Sequence, residues 1–197
     1  MSNALIHSRH RRARRISGLL LCVLAGALMF LPLATRAQPS SAKEYQIKAA
    51  FLYNFSQFVD WPTNTFSDAQ SPLVIGIIGD DPFGGYLDEL VKGEKINNHP
   101  LAVQHYHDAG EIKDCHILFV SASEAARLAG ILDSLKGRDI LTVGDMNGFA
   151  RDGGMIRFIT ENGKIRFRVC VETAKAAHLT ISSKLLRSAE IVQPGKD

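Results

Sequence analysis

GFARDGGMIRFITENGKIRFRVCV, residues 148–171, carries the most specific structural signal in the chain. It holds two runs of alternating character, residues 155–159 and 164–169, separated by Glu161-Asn162-Gly163. Asn-Gly adopts the positive φ angles that tight hairpin turns require, so the segment predicts an antiparallel hairpin. Side chains alternate along a strand, which puts Ile165, Phe167 and Val169 on one face and Lys164, Arg166 and Arg168 on the other. One face belongs to a core and the other is a basic ladder in water. Ahead of the hairpin, Gly153-Gly154 permits a turn that side chains would forbid, and Arg151 and Asp152 place charges at it. A plain turn accounts for these glycines; a binding loop is the alternative.

Upstream, residues 72–79 form a continuous apolar run, as expected of a strand buried on both faces of a parallel sheet. Residues 101–106, 115–120 and 140–145 predict three more strands. Helices are predicted over 83–91 and 124–135, the second capped by Ser121 to Ser123 and stopped by Gly137. Beyond the hairpin, 172–178 and 181–191 read as short helices. Strands alternating with helices imply parallel pairing through crossovers. The expected architecture is α/β: a three-layer sandwich with a mostly parallel sheet plus a C-terminal antiparallel hairpin at one edge. Residues 44–59 predict a helix whose apolar stripe follows Ile47, Phe51, Phe55 and Phe58, ended by Trp61-Pro62. Such a stripe lies in a core or against a partner.

The first 37 residues have the parts of a secretory signal. A basic stretch (9–15) precedes an uncharged apolar run (19–31), and Thr35-Arg36-Ala37 offers small residues for cleavage after Ala37. The run is shorter than the roughly 20 residues that span a bilayer, and Pro32 breaks it, so no stable membrane anchor is expected after cleavage. Leu21 before Cys22 speaks against lipidation. The expected organisation is therefore a signal peptide, 1–37, and a single domain, 38–197, in the periplasm. The formal charge of the whole chain is +3, but residues 38–197 hold 17 basic against 20 acidic residues, a net −3. That balance gives no electrostatic reason to expect nucleic-acid binding. Two cysteines then remain, Cys115 and Cys170; an oxidising compartment permits a disulfide between them, and two buried thiols are the alternative.

Ligands of such sheets bind beyond the carboxyl ends of the strands. The candidate ligand loops hold Asp80 and Asp81, Ser121, Asp145, and Arg151 with Gly153 and Gly154. The turn at Asp80-Asp81 lacks the spacing of a phosphate loop, its carboxylates would repel a phosphate, and either one suits a helix cap. Neither Ser121 nor Ser123 sits in a nucleophile-elbow pattern, which leaves a secreted hydrolase without support. His105 and His107 share spacing suited to a metal but gain no matching acid, and His99, His116 and His178 read as structural. No cofactor, metal or catalytic set is expected.

Six segments in order resemble one family. They are 49–55 leading to Phe58-Val59-Asp60-Trp61-Pro62, then 79–84, 115–119, 141–145, 149–156 and 181–186. The chain resembles the YfiR family of periplasmic repressors from about Tyr45 to Val192. The resemblance implies a non-catalytic protein that holds an inner-membrane diguanylate cyclase inactive through its periplasmic sensory domain, lowering cyclic di-GMP and restraining biofilm formation. It also implies self-association, here as a homodimer, and disulfides, although the family's pattern around Arg168-Val169-Cys170 differs from this chain. Tyr53, Phe58 and Trp61 are the candidate partner-binding residues. A periplasmic small-ligand-binding protein using the loops named above is the alternative function.

Overall fold

The computed structural model describes residues 41–197; the signal segment expected at 1–37 lies outside the described residues. In chain order the elements are helix α1 (Ser41–Phe58), β1 (Val59–Asp60), β2 (Leu73–Ile78), α2 (Gly85–Val91), β3 (Lys95–Ile96), β4 (His99–Tyr106) and β5 (Ile117–Val120). They continue with α3 (Leu128–Ser134), β6 (Leu141–Gly144), β7 (Ile156–Glu161), β8 (Lys164–Cys170), α4 (Val171–Ala176), β9 (Thr180–Ile181), α5 (Ser183–Leu186) and β10 (Glu190–Val192). Eight strands form one sheet in the order β10-β8-β7-β6-β5-β2-β4-β3, and β1 pairs with β9 in a two-stranded ribbon. Pairing within the large sheet is parallel except for β7–β8 and β3–β4.

The hairpin forms as the Asn-Gly signal predicts. Asn162 and Gly163 both have positive φ, 52° and 72°, and Glu161 pairs with Lys164 across a two-residue loop. A second turn of this kind, Asn97-Asn98 at φ 51° and 73°, joins β3 to β4; the expected strand at 101–106 therefore begins earlier and is one arm of a hairpin.

Alternation along the central strands builds two cores. Leu73, Ile75 and Ile77 of β2, Ile117 and Phe119 of β5, and Leu141 and Val143 of β6 pack with α1 and α2. Ile78, Leu118 and Val120 face the other way, towards Leu128, Ile131 and Leu132 of α3. Helices on both faces make this the expected three-layer sandwich. On the first face, Phe55 of α1 lies 5.8 Å from Phe158 and 5.4 Å from Phe167, so the helix is clamped onto the apolar side of the hairpin.

Several local expectations need correction. The buried side of α1 holds Ala49, Leu52 and Phe55 together with Lys48, while Ile47 is exposed. The helix is rotated from the predicted stripe, and the turn brings Lys48 inward to meet Asp145 at 2.6 Å. The predicted helix over 181–191 is instead β9, α5 and β10; Glu190 pairs with Arg168, and β10 covers the edge that β8 would otherwise expose. The hairpin is consequently not the outermost part of the sheet. The predicted helix over 124–135 begins as a 3-10 turn at Ala122–Arg127 and becomes α-helical only at Leu128. Neither Asp80 nor Asp81 is the N-cap of α2: the helix starts at Gly85 after Gly84 at φ 54°, and Asp81 instead accepts from the Phe83 amide at 2.8 Å, closing the turn before it.

Cys115 and Cys170 do not pair; both are free and buried. Cys115 lies at the amino end of β5 and Cys170 at the carboxyl end of β8, three strands away in the sheet. At about 4.8 Å per strand they are separated by about 14 Å sideways alone, against the roughly 7 Å limit for a bridge.

Candidate functional site

The loops at the carboxyl ends of β2 and β5 meet as the sheet order requires. Ser123 Oγ accepts from the Asp80 amide at 2.9 Å, and Ser121 caps the turn that carries Ser123. Gly79, at φ 88°, lies so close to this turn that a Cβ there would stand 2.4 Å from Ser123 Oγ. Asp81 Oδ2 lies 3.3 Å from His105 Nε2. Buried Glu124 pairs with Arg127 at 2.7 Å. Both serine oxygens thus serve as acceptors in turns, and the Asp80 and Asp81 loop is bound to the β5 loop.

Asp145, one residue beyond β6, turns to α1. Its Oδ2 accepts from Lys48 Nζ at 2.6 Å and from the Tyr45 hydroxyl at 2.9 Å. Lys48 also meets Glu44 at 2.7 Å, one helical turn earlier, and its ammonium lies 4.3 Å from the Tyr45 ring centroid. Desolvation first, and then the Asp145 charge, raise the Tyr45 phenol above its ordinary range, so it stays a neutral donor. Asp145 is therefore the carboxylate of a buried ionic cluster between sheet and helix. Asp145 stands out in the sequence at a strand end, whereas Lys48 and Tyr45 do not. The signal that could have found them is a lysine inside an otherwise apolar helix face, which requires an acidic partner.

Beside this cluster opens a cavity of about 330 Å³, lined by Lys48, Asp145, Asn147, Arg157, Thr160 and Arg168 among others. At it, Arg157 donates to Asp197 and to the side-chain oxygen of Asn147, and Asp197 also accepts from the Gly148 amide at 2.6 Å. Arg157 and Asp197 are nearly buried. Arg157 lies in β7 directly across from Arg168, which pairs with Glu190 at 3.0 Å. Part of the basic ladder is thus neutralised by acids that follow the hairpin in the chain. Neither Arg157 nor Asp197 stood out in the sequence, because 40 residues separate them.

Arg151 pairs with its neighbour Asp152 at 2.9 Å and is mostly exposed. Gly153 takes φ 107°, and Gly154 lies against the Phe149 ring and carbonyl. Arg151 and Gly153, with Thr142, Met155, Thr173 and Ala177, line a larger cavity of about 660 Å³ between α3 and α4. Gly153 is thus both turn and cavity wall, while Gly154 serves the turn.

The partner-binding candidates lie towards the end of α1 and just beyond it, and all three are partly buried against the main core. The Tyr53 hydroxyl donates to Glu94 at 3.0 Å, and the Trp61 indole nitrogen is buried without a partner among the described residues. Trp61 meets the ring of His116 edge-on, and Phe66 stacks between His116 and His99 at 4.5 and 3.8 Å. His116 is structural: its Nδ1 accepts from the Val74 amide at 3.1 Å. Burial, then nearby His99, pulls its pKa down to about 4. Among the described residues no group of three His, Cys, Asp or Glu side chains could hold a metal, and no helix is long and apolar enough to cross a membrane.

A family model described as YfiR/HmsC-like matches residues 45–190, from the first turns of α1 to the start of β10. No curated protein matches the chain.

Proposed function

This chain belongs to the YfiR/HmsC-like family, and from that premise we propose that it is a non-catalytic periplasmic regulator. It represses an inner-membrane diguanylate cyclase by binding that enzyme's periplasmic sensory domain. The observation that carries the reading is the family match across nearly all of the described fold. The geometry supports it in a second way: the serine hydroxyls and carboxylates at the strand ends are engaged in capping and ion pairs rather than arranged as nucleophile and base.

Repression follows from a population shift, in which the regulator binds the inactive state of the receptor more tightly than the active one. The receptor-facing residues in this reading are Tyr53, Phe58 and Trp61, which keep part of their aromatic surface in solvent at the end of α1. The test is intracellular cyclic di-GMP in a strain lacking the gene. It rises on deletion and returns to its original level when the exported protein is restored, and does not return when residues 1–37 are removed. An unchanged level on deletion overturns the proposal.

A further inference from the structure

Both hydrophobic cores contribute walls to one cavity. The space of about 660 Å³ between α3 and α4 takes Leu132, Leu135 and Ile140 from one core and Met155 and Ala177 from the other. All five are buried, so the cavity is floored by core rather than by surface. Small-molecule sites have this character: roughly 300–1,000 Å³, mostly apolar, with a few placed polar groups. The placed group here is Thr142 of β6, 2% exposed. Its Oγ1 accepts from the Met155 amide at 3.1 Å. A threonine hydroxyl also has one hydrogen to donate, and among the described residues that hydrogen has no acceptor. At the rim, Lys136 meets Asp133 at 2.6 Å and Arg151 meets Asp152 at 2.9 Å, while Glu172 adds an exposed carboxylate. The cavity therefore has no surplus positive charge. The remaining wall is the segment after β10, where Pro194 and Gly195 line the space. Residues 193–196 are exposed, and among the described residues the segment's polar bonds to the rest of the fold are those of Asp197 with Arg157 and the Gly148 amide. That wall can swing aside without breaking the sheet, which provides an entrance.

From this geometry we infer that the cavity binds an uncharged small molecule with a compact apolar body and one carbonyl, which accepts the Thr142 hydroxyl hydrogen. An engineered cavity of about 150 Å³ already takes benzene, so a bicyclic body has room here. A pure hydrocarbon would leave the buried hydroxyl without an acceptor. An anion or a cation would lose its hydration over the apolar floor, and the rim has no free cation to compensate an anion. Thr142 thus selects the acceptor, and the floor and rim together select against charge. The inference is independent of the receptor-binding reading, since Tyr53, Phe58 and Trp61 do not line this cavity.

The test uses camphor, a bicyclic ketone, against 10-camphorsulfonate, which has the same body and carbonyl and a fixed negative charge. Both are titrated into the full protein carrying ¹³C at the methionine methyls. The expected result is a saturable shift of the Met155 methyl with camphor, half complete at or below about 1 mM, and binding of camphorsulfonate at least about tenfold weaker. Ala176, exposed on the wall at the end of α4, is changed to Phe to fill the cavity from its rim; camphor then no longer shifts Met155. Thr142→Val weakens camphor about fivefold, the loss of one hydrogen bond. The infrared carbonyl stretch of bound camphor reads that bond even where Thr142→Val does not fold: it lies below its frequency in cyclohexane when the hydroxyl donates. An unmoved Met155 methyl, equal binding of camphorsulfonate, a full response of Ala176→Phe, undiminished binding by folded Thr142→Val, or a carbonyl stretch equal to that in cyclohexane each overturns the proposal.

Discussion

Lys48 and Asp145, 97 residues apart in the chain, meet at 2.6 Å and fasten α1 to the carboxyl end of β6. Removing one partner leaves a buried charge without its main counterion. Lys48→Ala is expected to cost about 3 kcal/mol in urea unfolding. Asp145→Asn costs less, about 2 kcal/mol, because Glu44 still faces the lysine. Replacing both by apolar residues, as in Lys48→Met with Asp145→Leu, costs less than Lys48→Ala alone. A double variant less stable than Lys48→Ala would show that the pair holds the helix by more than charge balance.

Gly154 tests the turn before the hairpin. A Cβ there would stand 2.2 Å from Phe149 Cε1 and 2.7 Å from the Phe149 carbonyl oxygen. Gly154→Ala is expected to lose about 2 kcal/mol or more, since overpacking must move backbone as well as a ring. Trimming the ring in Phe149→Leu does not restore stability, because the carbonyl contact remains. Full rescue by that second change would show that the ring alone fills the space.

His116 gives the fold a dependence on mild acid. Its folded pKa, about 4, lies below the ordinary 6.5, so the unfolded chain binds the extra proton first. The contribution is fully present above pH 6.5, declines as pH falls from 6.5 to 4 and is gone below that. Its size is at most about 3 kcal/mol. Protonation also takes away the acceptor of the Val74 amide. Unfolding free energies measured at pH 7, 5.5 and 4 fall more steeply for the unaltered protein than for His116→Asn; parallel curves would remove His116 as the cause.

The thiols are expected to be silent in the folded protein. Burial pushes the Cys115 thiol up to about 12 and leaves little thiolate at neutral pH, while Cys170 is fully buried and accepts from the Thr173 hydroxyl at 3.0 Å. A maleimide therefore labels neither residue until denaturant is added, and the melting temperature is the same with and without reductant. A drop on reduction would place a disulfide in the protein after all.

Much of the fold was legible because it rests on local chemistry. The Asn162-Gly163 turn, the apolar run of β2 and the Ser121 cap are each dictated by neighbouring residues. The misread segments depend on distant ones. Residues 190–192 hold the β-branched Ile191 and Val192, which suit a strand, but so short a segment becomes one only because β8 offers an open edge. Lys48 is buried beside Asp145, which stands just past the end of β6 and 97 residues later in the chain. The loops of Asp80, Ser121 and Asp145 lie at the carboxyl ends of β2, β5 and β6, since parallel sheets send these loops to one side.

By itself, the sequence determined the α/β class, the hairpin and the family, because turn chemistry, hydrophobic period and ordered motifs are all properties of short segments. Tertiary structure alone decided which charges are neutralised and which thiols stay apart. Ion pairing and disulfide geometry act over a few ångströms, and only the folded sheet brings Asp197 to Arg157 while holding Cys115 away from Cys170.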